Sequence, residues 1–179
     1  MVKVISLIQK IANFILLFIK DNLRSPIMDK LMLLFTSLGN LGVIWIIIAL
    51  LLIINKRYRK VGFMALSALM LSTILGEVIL KHLARRVRPS ANIPAIDLLI
   101  KGPLSYSFPS GHTMSSFAVV GVLAKEFKKY ALGFFTLASL IAFSRLYLYV
   151  HYPTDVLVGM VLGLICSLIT VWIFDKIRI

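Results

Sequence analysis

Long apolar runs, separated by short basic stretches, constrain this chain more than any other feature of its sequence. Several runs approach or exceed the ~20 residues that cross a bilayer as a helix. Of the 179 residues, 60% are apolar and only 15% are charged, whereas a soluble domain is roughly half apolar and a quarter charged. Too little polar surface is left to cover a water-soluble globule. The sequence therefore predicts an all-α, polytopic membrane protein with a single domain over residues 1–179.

Six helical segments are expected from the apolar runs. They cover residues 4–19, 30–54, 61 to just past 81, 110–124, 130–146 and 153–174. In the first segment, Ser6, Gln9, Lys10 and Asn13 recur on one helical stripe. This segment is either a short span, which we favour, or an interfacial amphipathic helix. No small-residue cleavage site follows it, so we do not expect a cleavable signal peptide. The prediction is a six-helix transmembrane bundle whose first helix has these two alternatives.

The positive charge of the chain points to membranes rather than to nucleic acid. The formal net charge is +13, but the basic residues fall in short blocks between apolar runs, which suits topology determination and anionic lipid surfaces. The loops at 56–60 and 125–129 are short and rich in Lys and Arg, so we expect them to be cytoplasmic. The loops at 82–109 and 147–152 then lie on the outer face. We therefore expect a multi-pass protein of the plasma membrane.

Cysteine and carboxylate usage argues against a metal site. Cys166 is the only cysteine, so an intrachain disulfide is impossible, and no Cys/His cluster suggests structural zinc. No cluster of carboxylates is available to hold a pair of magnesium ions. We expect neither a metal nor a cofactor.

The first polar stretch on the outer face is strongly basic. If it is helical, Lys81, Arg85 and Arg88 share one face, and Pro89 places the helix end near Arg88. Three cations on one face repel each other unless an anion bridges them. Glu77, one turn before Lys81, is expected to pair with a nearby cation, because an unpaired carboxylate in a membrane is costly.

The second stretch places a histidine at the start of a helix. Ser110 is a natural N-cap for the fourth apolar run, and the free N–H groups of the first turn, with the helix dipole, make a ready anion site. Gly111 allows a ligand to approach the backbone closely. His112 then lies beside whatever anion is held there.

The third stretch lies between the fifth and sixth runs and contains Arg145, His151 and Asp155. Pro153 suits the first turn of the last helix. Asp155 would follow in that turn and could accept a hydrogen bond from one nitrogen of His151, leaving the other nitrogen free to attack. Together the three stretches fit phosphoryl transfer, in which catalysis is mostly positioning and electrostatics.

In order and spacing, the three stretches resemble the type 2 phosphatidic acid phosphatase superfamily, whose signature reads K-x6-R-P, P-S-G-H and S-R-x5-H-x3-D. The chain matches every signature position from Lys81 to Asp155. The short six-helix layout also resembles the small bacterial members, which include phosphatidylglycerophosphatases of type B and undecaprenyl-pyrophosphate phosphatases.

The resemblance implies a role for each signature residue. His151 would be the nucleophile that forms a phosphohistidine, and Asp155 would orient it. His112 would protonate the leaving lipid oxygen and then activate water. The remaining signature residues would hold the phosphate oxygens, and these are Lys81, Arg88, Ser110, Gly111 and Arg145. Family members usually need no divalent metal.

The function implied is hydrolysis of phosphate or pyrophosphate from a lipid at the outer membrane face. The partners would be the bilayer and a phospholipid or polyprenyl (pyro)phosphate, and the sequence leaves the oligomeric state open. Arg85 and Arg86, which are outside the signature, mildly favour a diphosphate substrate. Two alternatives are a lipid phosphotransferase that uses the same site and a non-catalytic lipid-binding protein. The last is disfavoured because every signature side chain is present.

Overall fold

The fold is all-helical in the computed structural model of the chain, which describes residues 2–92, 98–100 and 102–177. Residues 93–97 and 101 of the predicted 90–109 loop lie outside the described residues. The α-helices are α1 (Val2–Asn22), α2 (Pro26–Gly39), α3 (Val43–Ile54), α4 (Arg59–Thr73), α5 (Lys81–Ala84), α6 (Gly111–Glu126), α7 (Ala131–Tyr147) and α8 (Pro153–Lys176). A 3-10 turn at Asn40–Gly42 links α2 to α3, and a π-helix at Ile74–Leu80 links α4 to α5.

Because α2 joins α3 and α4 joins α5, the helices of the described ranges form six rods, as predicted from the apolar runs. Four of these rods are long and apolar enough to cross a membrane, and they are Pro26–Ile54, Arg59–Ala84, Lys128–Tyr147 and Pro153–Lys176. The chain is therefore a multi-pass membrane protein.

The centre of the bundle is α6, a 16-residue helix that packs against α4, α7 and α8. Ten of its sixteen residues are buried, and Trp45 of α3 donates its indole N–H to Ser116 at 2.9 Å. Two glycines of α8 let that helix approach α6 at backbone distance. A Cβ on Gly159 would lie 2.9 Å from the carbonyl oxygen of Ser110, and one on Gly163 would overlap that of Met114. The two glycines, four residues apart on α8, thus form a close helix contact.

The first helix, α1, lies along one end of the bundle. Ala12 and Leu16 pack with Tyr152, and Ile19 packs with the segment that follows α7. Residues 9–20 of α1 cover ~16 Å of helix. Along this length, α1 contacts only residues at this same end of the bundle among those that the structure describes. Its other sides bear exposed apolar side chains such as Phe14 and a polar stripe. These contacts support the interfacial alternative over the span.

The basic loops meet at the opposite end of the bundle. The rings of Tyr58 and Phe127 are in edge-to-face contact with centroids 5.1 Å apart. Lys125, at the end of α6, pairs with Asp175, at the end of α8, at 2.6 Å. The loops predicted to be cytoplasmic therefore lie together, whereas the three signature stretches lie at the other end.

Two rods depart from the sequence-based prediction. The run at residues 30–54 is broken, because Leu41 has φ 52° and Gly42 has φ 68°. The third rod ends at Ala84 rather than near Arg88, because Arg85 is left-handed with φ 47°. Lys81, Arg85 and Arg88 therefore do not share a helical face as predicted. Pro89 restricts only the residue before it, so the earlier end could not be read from it.

The α6–α8 contact predicts that Gly163→Ala destabilises the protein. The added methyl meets backbone atoms that cannot rotate away, such as the amide nitrogen of Ala118 at 3.0 Å, and overpacking of this kind costs about 1–3 kcal/mol. We expect Tm in detergent to fall by roughly 3–10 °C. Gly133→Ala is the matched control, because no atom lies within 4 Å of its Cβ position. Equal Tm values for the two variants would contradict the packing described.

Candidate functional site

A cavity of about 300 Å³ opens at the end of the bundle where the three signature stretches meet. Six of the eight predicted site residues line it, and they are Lys81, Arg88, Gly111, His112, Arg145 and His151. The other two, Ser110 and Asp155, are fully buried just behind the wall. The structure therefore brings the predicted residues together from three separate parts of the chain.

Three buried cations give the cavity its positive charge. Lys81, Arg88 and Arg145 are each at most 6% exposed. Lys81 Nζ pairs with Glu77 Oε2 at 2.7 Å, which confirms the predicted pairing of that carboxylate. Arg145 donates from Nη1 to Thr36 Oγ1, while its buried Nε has no hydrogen-bond partner among the residues that the structure describes. A buried donor without a partner is costly. An anion in the cavity that accepts a hydrogen bond from this nitrogen would remove that cost.

Arg88 enters the site from the loop after Arg85, and backbone carbonyls hold its guanidinium. It donates to the carbonyl oxygens of Ser105 at 2.7 Å, Val150 at 2.8 Å and Tyr106 at 3.1 Å. Burial lowers the pKa of Arg88, but such a group stays charged at neutral pH. Carbonyl partners fix the geometry without neutralising the charge, which leaves it available to an anion.

His151 is 2% exposed, and its protonation follows from its neighbours. Arg88 Nη1 lies 3.0 Å from His151 Nε2. A guanidinium only donates, so Nε2 carries the lone pair and Nδ1 carries the proton. Burial, followed by the nearby Arg88 and Arg145 cations, lowers the pKa of His151 to about 3. The imidazole is therefore neutral at physiological pH, and its Nε2 accepts from a guanidinium that lines the cavity.

The predicted hydrogen bond between His151 and Asp155 is not formed in this structure. His151 Nδ1 lies 3.7 Å from Asp155 Oδ2, which is longer than a hydrogen bond. The same Oδ2 accepts from Ser107 Oγ at 2.5 Å and from the Tyr152 backbone N–H at 2.9 Å. The carboxylate faces the correct nitrogen, but two other donors hold it.

Arg86 is the third side chain or backbone group that donates to Asp155. Sequence reasoning had instead associated this residue with a diphosphate substrate. Its Nη1 donates to Asp155 Oδ1 at 2.6 Å and to Thr154 Oγ1 at 2.6 Å, and its Nη2 donates to Gln9 Oε1 at 2.8 Å. Its guanidinium also stacks on the Tyr152 ring at 4.0 Å. Arg86 therefore lies behind His151 and not in the cavity. These contacts do not support the mild preference for a diphosphate that Arg86 suggested in the sequence, and that preference stays a prediction.

Arg85 does not line the cavity either. It is exposed, and its Nε donates to the carbonyl oxygen of His82 at 3.1 Å. Neither cation that favoured a diphosphate substrate in the sequence is placed to contact one.

The start of α6 is arranged differently from the predicted N-cap. Ser110 makes no side-chain capping bond, and its Oγ instead accepts from Thr113 Oγ1 at 2.9 Å. The first-turn N–H groups of α6 are therefore not capped by that hydroxyl. The absence of a Cβ on Gly111 lets the carboxylate of Glu77 lie against the start of α6. His112 Nε2 lies 2.9 Å from Asn40 Oδ1.

Of the site residues that sequence reasoning missed, Asn40 carries a partial signal in the sequence. Asn40 is a polar side chain within an apolar run, and such residues in membrane segments are commonly functional. Thr36 and Ser107 carry no signal of this kind. Among the described residues, no group of three or more His, Cys, Asp or Glu could hold a metal ion.

Comparison with known proteins decides the family. The sequence model of the PAP2 superfamily matches residues 58–179, which include every cavity cation. The chain belongs to the PAP2 superfamily.

Curated PAP2 relatives include lipid phosphatases from several organisms. The chain is 36% identical over 132 residues to the undecaprenyl-diphosphatase of Sulfolobus acidocaldarius, an alignment that covers 73% of this chain and 63% of the relative. It is 32% identical over 173 residues to phosphatidylglycerophosphatase B of Bacillus subtilis, covering 87% and 80%. The bacitracin transport permease BcrC of Bacillus licheniformis is covered over 60% of its length. The chain thus spans about three fifths of the length of the first and third of these relatives.

Solved PAP2 structures share the fold. LpxE of Aquifex aeolicus superposes with a TM-score of 0.75 at 32% identity, covering 86% of this chain and 91% of that one. The transmembrane PAP2-type phosphatidylglycerolphosphate phosphatase of Bacillus subtilis superposes with a TM-score of 0.74 at 28% identity, covering 98% and 88%.

The contacts of Arg86 predict a loss of turnover without a loss of substrate affinity. Arg86→Met removes the cation that holds Asp155, and loss of alignment in the site can cost roughly 100-fold. We expect kcat for phosphate release from a lipid phosphate to fall by roughly 10- to 100-fold while KM changes little, because Arg86 lies outside the cavity. Arg86→Lys should recover part of the rate.

Arg85→Met is the matched control, since it removes a neighbouring cation that contacts neither Asp155 nor the cavity. It should leave both kinetic constants close to wild type. A rise in KM for Arg86→Met with kcat unchanged would contradict the assignment and restore Arg86 as a substrate contact.

Proposed function

We propose that this protein is an integral membrane lipid phosphatase that works through a phosphohistidine on His151. One observation carries the proposal: His151, whose Nε2 lone pair accepts a hydrogen bond from Arg88, lines a cavity walled by Lys81, Arg88 and Arg145. A neutral imidazole is a nucleophile, and three fixed cations suit an incoming phosphoryl group. The names of the PAP2 relatives support the same reaction class.

In the first step, His151 Nε2 attacks the phosphorus of the lipid phosphate. A nitrogen–phosphorus bond forms, and the bond from phosphorus to the lipid oxygen breaks. His112, protonated on both ring nitrogens at this stage, gives one proton to that oxygen and becomes neutral, so the lipid leaves as an alcohol. The cations stabilise charge on the three equatorial oxygens, which is where it spreads during phosphoryl transfer.

Asp155 acts on His151 rather than on the substrate. As the imidazole ring becomes positively charged on phosphorylation, the carboxylate near its Nδ1 offsets that charge. In the second step, His112 removes a proton from water, the resulting hydroxide attacks phosphorus, and the nitrogen–phosphorus bond breaks. Inorganic phosphate leaves and His151 is neutral again.

A lipid can reach this cavity from the bilayer side. Its wall includes Leu41 and Gly42 at the break between α2 and α3, and Leu69 and Thr73 of α4. These residues belong to apolar rods, and Leu41 is 91% exposed. The candidate substrates are phosphatidylglycerophosphate and undecaprenyl pyrophosphate. Arg86 bonds to Asp155 and so gives no preference for a diphosphate substrate. Both lipids therefore remain candidates.

We place the site on the extracytoplasmic side of the plasma membrane. The basic loops around Tyr58 and Phe127 lie at the opposite end of the bundle, and short Lys/Arg-rich loops face the cytoplasm. Phosphate would then be released outside the cell.

The assignment of His151 as the nucleophile is tested by replacing it and by replacing a second histidine, His82, as the control. We expect His151→Ala to reduce phosphate release from both candidate lipids by at least about 1,000-fold, because removal of a nucleophile eliminates the covalent route. Assays are run with excess EDTA, in which wild-type activity should persist. Substrate labelled in the transferred phosphate should label wild-type protein in an acid-labile, alkali-stable form, and it should not label His151→Ala.

His82→Ala is the matched control. His82 lies at the same end of the bundle, but its Nδ1 faces the carbonyl oxygen of Val78 at 2.9 Å, outside the cavity. This variant should retain wild-type rates. Unchanged phosphate release from folded His151→Ala would refute the mechanism, and a wild-type protein that binds the lipids without cleaving them would identify a binding protein instead.

The orientation is tested by thiol labelling in intact cells. In a Cys166→Ser background, Leu104→Cys at the site end should react with a membrane-impermeant maleimide, since Leu104 is fully exposed. Lys128→Cys at the basic end is also exposed, and it should react only after permeabilisation. The reverse pattern would place the site in the cytoplasm.

A further inference from the structure

The break between α2 and α3 has an unusual backbone. Leu41 adopts φ 52°, a left-handed conformation that branched side chains rarely occupy. Its side chain is 91% exposed, so packing of that side chain does not compensate for the strain. Strain of this kind persists where the surrounding structure enforces it, and it often accompanies function.

The residues at this break contact the ring of His112. A Cβ on Gly39 would lie 2.7 Å from Cδ2 of His112, so this glycine is needed for the ring to rest on α2. Directly after it, Asn40 Oδ1 lies 2.9 Å from His112 Nε2. The opposite edge of the ring, which bears Nδ1, faces away from α2.

The same helix also supports a cavity cation. Thr36, one turn before Asn40, accepts the hydrogen bond from Arg145 Nη1. Thr36, Gly39 and Asn40 all precede residue 58, where the PAP2 match begins. A helix outside the matched region thus contacts two residues of the signature.

We propose that Asn40 is a positioning residue for His112, set in place by the helix break that follows it. An amide oxygen accepts a hydrogen bond, so Asn40 fixes the proton on Nε2 and makes Nδ1 the atom that exchanges a proton with the leaving oxygen and with water. The proposal rests on the proposed phosphatase function, and it adds the residue that selects the working nitrogen of the acid–base group.

A purely structural role is the competing explanation. The backbone N–H of Asn40 bonds to the carbonyl oxygen of Ser37 at the end of α2, and this bond would survive any side-chain substitution. A structural role predicts equal losses for all substrates. A positioning role predicts losses that depend on how much the leaving group needs a proton.

The two candidate substrates differ in this respect. Phosphatidylglycerophosphate leaves as an alcohol and needs protonation, whereas undecaprenyl pyrophosphate leaves as a phosphate monoester and needs little. We expect Asn40→Leu, which keeps the size but removes the acceptor, to lower kcat/KM at least about tenfold for the first substrate and less than about threefold for the second. Asn40→Asp retains an acceptor and should restore most of the loss.

Ser37→Ala is the matched control, because Ser37 is exposed on the same helix and its hydroxyl donates to the carbonyl oxygen of Leu34. Should wild type cleave one substrate only, the pH profile of kcat/KM decides. Positioning shifts a limb of the profile in Asn40→Leu, whereas a structural defect lowers the rate equally at every pH.

This proposal would be overturned by equal losses on both substrates, by a uniformly lowered pH profile or by unchanged kinetics in Asn40→Leu. In each of these cases, activity of the wild-type protein would still support the proposed phosphatase function. Wild type that cleaves neither substrate would overturn the proposed function and this proposal together.

Discussion

The structure depends on keeping three cations, two of them held by neutral acceptors, buried at the edge of a membrane. Moving a charge out of water is costly unless hydrogen bonds or counter-charges replace the water. Here Arg88 is held by backbone carbonyls and Arg145 by a hydroxyl, whereas Glu77 pairs with Lys81 alone. Neutral acceptors maintain the geometry, so the positive field remains directed at the cavity. A phosphate arriving there meets donors that need no reorganisation.

Close helix packing makes this arrangement rigid. The glycines of α8 bring its backbone against α6, and Asp155 at the start of α8 accepts from Tyr152 and Ser107. The N–H of Ser110, just before α6, in turn donates to the backbone carbonyl oxygen of Asp155 at 3.1 Å. The start of α6 and the carboxylate behind His151 are thereby fixed to one another.

Sequence reasoning reached the six rods and the members of the site because both are encoded locally. Apolar runs report bilayer-length helices, and the spacing of the signature residues reports the cavity wall. The break at Leu41 was not predicted, since a positive φ at leucine contradicts local preference and arises from tertiary contacts. The early end of the third rod has the same origin, because Arg85 is not a residue type that favours a left-handed conformation.

Partner choice was the other limit of the sequence. Arg85, Arg86 and Arg88 are chemically alike and nearly adjacent, yet one is exposed, one holds Asp155 and one lines the cavity. Only the path of the backbone after Ala84 separates them. For α1, composition left open a membrane span or an interfacial helix. The contact of Gln9 with Arg86 supports the interfacial helix.

The position of the α2–α3 break has a consequence for exchanging parts between relatives. The family match starts at residue 58, which makes the loop before α4 an obvious junction for a chimera. A graft taken from that point would transfer all the signature cations and both cavity histidines. It would leave behind Thr36, Gly39 and Asn40, the surface on which Arg145 and His112 rest. In this protein, the smallest transferable unit of the site therefore begins in α2.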